Sequence, residues 1–445
     1  MWVLILKNFL RSRIAVTGLL IVLVAGITSL FIGKQHLQKQ QNNASQTIAH
    51  QQEHIQRHIQ YNHREMGLLL YGLQFSLINQ THPLNALSIG QKDVNSSIQS
   101  LTIRGLHNQQ YDTDLFNPYN LLAGNLDFSF VLVYLFPLLI ITFMYNLLSE
   151  EKESGTWPLV SIQYQQPRRL LLQKMAVRVM VVFGALAFLY LMAPLILPLP
   201  FNSRLLAAMS LSVVYLLFWF AVSYWVVSLQ RSSGSNAAML LSAWIILTVI
   251  LPGAVNNYII TKYPVPEALA TMVEQREGYH EKWDMDQKPT LEKFYTHYPQ
   301  FRQYGIPPAS FSWLWYYAMQ QMGDDDAQQQ AEQMRQKLWQ REKAANWASF
   351  VIPTLHTQQQ FNELAHAGLP NHLRYLDSTG RFHEKIRLYF YPKIFSNAPV
   401  QAENWKAFEA EYFADNSPVS WAKLLLPPLA LSILFFGLAR VRFTT

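Results

Sequence analysis

Six apolar runs, each long enough to cross a lipid bilayer as a helix, constrain this chain more than any other feature. They are Ile14 to Ile32, Phe128 to Leu148, Met175 to Leu197, Leu205 to Leu229, Ala237 to Val255, and Leu424 to Leu438 with its flanks. A hydrocarbon core of about 30 Å takes about 20 helical residues to cross, and only helices or closed barrels satisfy their own backbone inside it. Strand-like alternation is scarce, so the expected fold is an all-α membrane protein with about six transmembrane helices. The 445 residues are 50% hydrophobic, yet mean hydropathy is only +0.04. Very apolar stretches therefore alternate with polar ones, which implies sizeable water-exposed segments.

The formal charge of +7 does not point to nucleic acid, because the basic residues gather at span ends instead of forming one stripe. Lys7, Arg11 and Arg13 precede the first run; Lys152, Arg168, Arg169, Lys174 and Arg178 surround the connection between the second and third. Arg231 sits between the fourth and fifth, and Arg440 and Arg442 follow the sixth. If the spans alternate, all four places share one side, and the positive-inside rule makes that side the cytoplasm, with both termini there. Arg204 is the one short-loop exception on the opposite side. No small-x-small cleavage site follows the first run before Lys34, so a retained span is expected and not a cleaved signal peptide. Cysteine is absent, so there is no disulfide framework and no thiolate site.

This orientation divides the chain. Residues 1–32 hold a cytoplasmic start and the first span, 33–127 an outward insertion, and 128–255 the second to fifth spans. Residues 256–421 form a large outward domain, and 422–445 the last span and a cytoplasmic tail. The first insertion opens without Pro or Gly from Lys34 to Met66, with Leu37, Ala44, Ile48, Ile55, Ile59 and Met66 on a narrow heptad-like stripe. A long helix continuing the first span is expected, with a second helix as partner, from the other outward segment or from a neighbouring subunit. In the second insertion, Pro299, Pro307-Pro308 and Gly323 separate helical patterns. The clearest helix is expected to start at Asp324-Asp325-Asp326, where a carboxylate can cap exposed amides. The outward domain should thus be mainly helical.

Between the second and third spans lies a charged cassette, residues 149–174, which must emerge at one membrane face. Glu150, Glu151, Lys152, Glu153, Ser154, Gly155 and Thr156, followed by Pro167, Arg169 and Lys174, resemble the first intracellular segment of ABC transporter permeases of the type-2 exporter class. Trp157-Pro158 depart from that pattern. From Trp347, residues including Pro353, Leu364, Ala365, Gly368, His372, Tyr375, Phe382, His383, Arg387 and Phe395 resemble a subfamily of that class with a large periplasmic domain of unknown function.

The resemblance implies a non-catalytic inner-membrane permease subunit in a bacterium, coupled to separate ABC ATPase subunits that bind ATP and Mg. ATPase coupling would fall to Glu150, Glu151, Glu153, Ser154, Gly155, Thr156, Arg169 and Lys174. It also implies a second permease subunit, identical or related. No phosphate-binding loop appears in the chain, so no nucleotide cofactor is expected on it. Arg168, Arg169 and Lys174 suit anionic membrane lipid equally well. Export is the first reading. The alternative is a mechanical transmitter that drives a periplasmic or outer-membrane partner without moving substrate through its own spans.

Three further features have bland readings. His50, His54 and His58 line one helical face, where imidazoles can chelate a metal, but a solvated face is the commoner arrangement and no metal site is assigned. The aromatic run from Phe311 to Tyr317 suits a core helix better than a ligand platform. Tyr224, Asn236, Ser242 and Asn256, the polar residues within or beside the spans, suit helix-to-helix hydrogen bonds as well as a transport route.

Overall fold

A computed structural model describes residues 2–110, 125–156, 167–265, 267–283 and 285–444. A short helix, α1 (Trp2–Arg11), stops at Ser12, whose hydroxyl accepts from the Ala15 amide at 3.4 Å and caps α2 (Arg13–Tyr61). α2 runs 49 residues without a break, about 73 Å at 1.5 Å per residue. The expected continuation of the first span into the polar region is therefore present. After it come α3 (Met66–Gly72), β1 (Phe75–Asn79), β2 (Ile98–Leu101) and α4 (Leu106–Gln110).

The second span is α5 (Phe128–Glu153), capped by buried Asp127, which accepts from the Phe130 amide at 2.8 Å. α6 (Pro167–Ile196), α7 (Ser203–Ser228) and α8 (Ser233–Lys262) are the third to fifth spans. The extramembrane helices α9 (Glu267–Trp283), α10 (Gln287–His297), α11 (Trp313–Ser349), α12 (Pro353–Leu364) and α13 (Leu369–Phe395) follow, then β3 (Glu411–Phe413) and the sixth span α14 (Trp421–Thr444). Six helices are thus long and apolar enough to cross a membrane, which makes this a multi-pass, all-α membrane protein.

α7 occupies the middle of the bundle and packs on α5, α8, α12 and α14. Two-thirds of the apolar window (67%) is buried in both α5 and α7, against 11% in α8. The fifth span is therefore peripheral. Glycines let α2 approach its neighbours: a Cβ on Gly26 would lie 2.5 Å from the Leu189 side chain on α6, and one on Gly33 would lie 2.0 Å from the Ala86 carbonyl oxygen.

Both insertions build one extramembrane core. Ile55, Leu69, Phe75 and Leu101 from the first pack with Phe294, Tyr298, Tyr317 and Tyr391 from the second. A small sheet of order β2-β1-β3 joins them, with β1 antiparallel to β2 and parallel to β3, Ile78 facing Tyr412. Every residue of β1 is buried.

Three local expectations are corrected. Gly323 and Asp324 lie inside α11, which starts ten residues earlier, at Trp313. Ser312 caps it, accepting from the Trp315 amide at 3.1 Å. Asp324 is buried and receives Arg387 at 2.8 Å and the Leu106 amide at 2.8 Å, so its partners are distant in sequence. Ile55 of the α2 stripe is buried in the extramembrane core, and nearby Gln51 accepts from the Ser76 amide at 2.7 Å and donates to the Phe408 carbonyl at 3.0 Å. Met66 falls beyond α2, on α3.

Candidate functional site

The cassette begins as the last turn of α5, Ser149–Glu153. Gly155 then takes φ +71°, a left-handed conformation that favours glycine, and nothing crowds the space a Cβ would fill. Ser154 and Thr156 hydroxyls lie 2.9 Å apart, and Thr156 donates to the Glu151 carbonyl at 3.2 Å, which closes the turn on itself.

The three carboxylates divide into distinct roles. Glu151 is partly buried and pairs with Lys174 on α6, with Thr156 also donating to it. Glu153 accepts from the Ser233 amide at 2.7 Å and its hydroxyl at 2.8 Å, so it caps the first turn of α8 from outside. Glu150 is exposed and, among the described residues, accepts from Asn146, one turn earlier, at 3.0 Å. Lys152 reaches Gln230 at 2.7 Å, and Ser149 meets Ser233 at 2.7 Å. The side chains of Arg168 and Arg169, and Trp157 and Pro158, lie outside the described residues.

The expected site residues from Glu150 to Thr156 are thus brought together with Lys174, and the cassette grips two spans, α6 through Glu151 and α8 through Glu153. Ser233 and Gln230 complete the grip. Gln230 has φ 57°, unusual for a non-glycine residue and invisible to composition. Arg178, one turn beyond Lys174, is buried with Nη1 lacking a partner. Asn236 is also buried, and its amide caps the Tyr145 carbonyl at 3.1 Å, a helix-to-helix bond. Ser242 and Asn256 face outward on α8, and the Tyr224 ring lies tilted against Phe436, 6.1 Å between centroids.

The opposite end of the bundle is tied to the extramembrane domain by partly buried groups. Arg204, the exception to the charge asymmetry, donates to the Leu364 carbonyl at 3.3 Å and to the Ser417 carbonyl. It thereby pins both the end of α12 and the lead into α14. Beside it, Arg374 binds Asp415 at 2.7 Å, Asp415 accepts from Asn371 at 2.8 Å, and Asn371 accepts from Asn79 at 3.0 Å. Burial alone would raise the Asp415 carboxyl, but the Arg374 and Asn371 bonds hold it well below its usual value.

Lys92, only 6% exposed, ends in the same region with Nζ unpartnered. Burial pulls its pKa down to about 8 against the attraction of Asp415. Burial likewise lowers His366 to about 3 and His372 to about 4.

The other motifs are structural. Trp315, Tyr316 and Tyr317 are buried in the extramembrane core. His54 contacts the Gly72 carbonyl at 3.2 Å, and the His54 and His58 rings stand 4.2 Å apart. Among the described residues, no three metal-ligating side chains converge.

Residues 268–414, which is 147 of 445, match the domain of unknown function DUF3526, a domain found in ABC-transporter-type permeases. No curated protein and no solved structure matches the chain.

Proposed function

We propose that this chain is the transmembrane permease subunit of an ATP-driven ABC transporter, an exporter, whose ATP is hydrolysed on a separate chain. The observation that carries the reading is the Glu150–Thr156 element, which offers an exposed carboxylate and turn on one side while holding α6 and α8 on the other. A partner ATPase docking there would move two spans at once. In this reading the cassette face is the cytoplasmic face of a bacterial inner membrane, and the large domain is periplasmic. A second permease subunit would complete the path.

The second reading, a mechanical transmitter acting on a periplasmic or outer-membrane partner, is favoured by the unbroken α2. That helix joins the bundle to the extramembrane domain as one rigid element. Both readings require the motor. Purification of the tagged protein in mild detergent should recover an ATPase, and Glu150→Lys should lower its stimulation by the permease at least several-fold while leaving thermal stability of the permease unchanged. An ATPase fully stimulated by that variant removes Glu150 from the contact. If no ATPase is recovered with the wild-type protein, under conditions that preserve a known ABC complex, the motor reading fails.

A further inference from the structure

We infer that the corner between α11 and α12 is immersed in the bilayer, its partner being the lipid acyl chains of the leaflet on the extramembrane-domain side. The α11 helix descends beside the upper part of α8, with Arg341 donating to the Tyr263 carbonyl at 2.7 Å near the top of that span. At the bottom, the Thr354 hydroxyl donates to the Leu247 carbonyl. Leu247 lies 14 residues beyond Ser233, where α8 starts at the cassette face, which is about 21 Å along a helix. In a hydrocarbon core about 30 Å thick, that places the contact about 9 Å below the far boundary. Leu247 also lies near the centre of the apolar run from Ala237 to Val255.

The chemistry of the corner suits that depth. From Ala344 to Leu355 no side chain is ionisable. Trp347 is 75% exposed, Phe350 37% and Val351 69%, so three large apolar groups project together beside the bare face of α8. Non-helical backbone survives in hydrocarbon only when its polar groups are satisfied within the protein. Here the amides of Phe350, Val351 and Ile352 bond to the carbonyls of Trp347, Ala348 and Ser349 at 3.2 to 3.3 Å, and Pro353 has no amide to satisfy. Ser349 donates to the Asn346 carbonyl at 2.7 Å and Thr357 to the Pro353 carbonyl at 2.8 Å. The inference does not depend on the proposed function or on which side of the cell the domain faces.

The absence of cysteine makes the test direct. A nitroxide is placed on Val351→Cys in the full chain, reconstituted in vesicles of phosphatidylethanolamine and phosphatidylglycerol. Ile433→Cys, exposed in the middle of α14, serves as the membrane reference, and Tyr412→Cys on β3 as the aqueous one. The label at Val351 should collide with oxygen as freely as the Ile433 label does, and be protected from a water-soluble nickel chelate about tenfold better than the Tyr412 label. Nickel access equal to that at Tyr412 overturns the inference. So does a label shielded from both reagents, which would mean that protein covers the corner. Bimane at the same position should also be quenched by lipids brominated on the acyl chain, and no quenching would overturn it too.

Discussion

The two ends of the bundle are joined to what lies beyond them in opposite ways. At the cassette end, the contacts are few and short in reach: Glu153 on Ser233 and Lys152 on Gln230 are exposed, and only Glu151 on Lys174 is partly buried. At the other end they are more buried and branched: Arg204 holds the Leu364 and Ser417 carbonyls, and Arg374 leads through Asp415 and Asn371 to Asn79, while inside the domain beyond, Arg387 is buried against Asp324. Exposed pairs contribute little to stability, whereas breaking a buried one leaves a charge stranded. The comparison teaches that the cassette is attached so that it can be displaced, while the extramembrane domain is attached so that it follows the spans.

The largest effect expected from this contrast is at Arg387. It is fully buried and donates to Asp324, Gln321 and the carbonyls of Ile103 and Arg104. Arg387→Met should destabilise the extramembrane domain by about 3–5 kcal/mol, measured as loss of near-ultraviolet circular dichroism with heating. Changing Asp324→Leu in the same chain should recover much of that loss.

Lys92 sharpens the contrast with the opposite sign. Its depressed pKa means that the folded state binds its proton less readily than the unfolded chain does. The cost is fully present below pH 8 and disappears as pH rises towards 10.5. The fall from 10.5 to about 8 is worth about 3 kcal/mol, so Lys92→Met should stabilise the domain by about that amount at pH 7. The gain over wild type should shrink towards zero by pH 10.5, and a gain that does not change with pH would point to packing alone.

The smallest effect on stability is expected at Glu153. Glu153→Ala should leave the melting temperature unchanged within error while loosening the cassette, seen as a broader distance distribution between spin labels on Ser154→Cys and Arg231→Cys. A melting shift as large as that of Arg387→Met would break the comparison.

The apolar runs made the spans legible because bilayer thickness acts on each segment independently of the others. The long α2 was legible for a similar reason, since nothing between Lys34 and Tyr61 interrupts a helix. Asp324 was misread because a cluster of three aspartates carries the local signature of a helix start, and only a guanidinium 63 positions away explains why it sits inside one. The strands were missed because β3 has three residues and its neighbour β1 lies more than 300 positions earlier. Within the cassette, the residue types made a docking element the expectation, but which carboxylates turn inward depended on Ser233 and Lys174, supplied by other spans. Arg204 read as a stray charge until the carbonyls that it holds were in place.

The close approach at Gly33 gives α2 the mechanics of a lever. About 30 Å of helix lies between Arg13 and that contact, and about 42 Å between it and Tyr61, at 1.5 Å per residue. Pivoting there, a 2 Å sideways shift at the Arg13 end becomes about 3 Å at the far tip, with the direction reversed. A side chain at position 33 would push the fulcrum off its support, so the gain of this arm is set by a residue that has none.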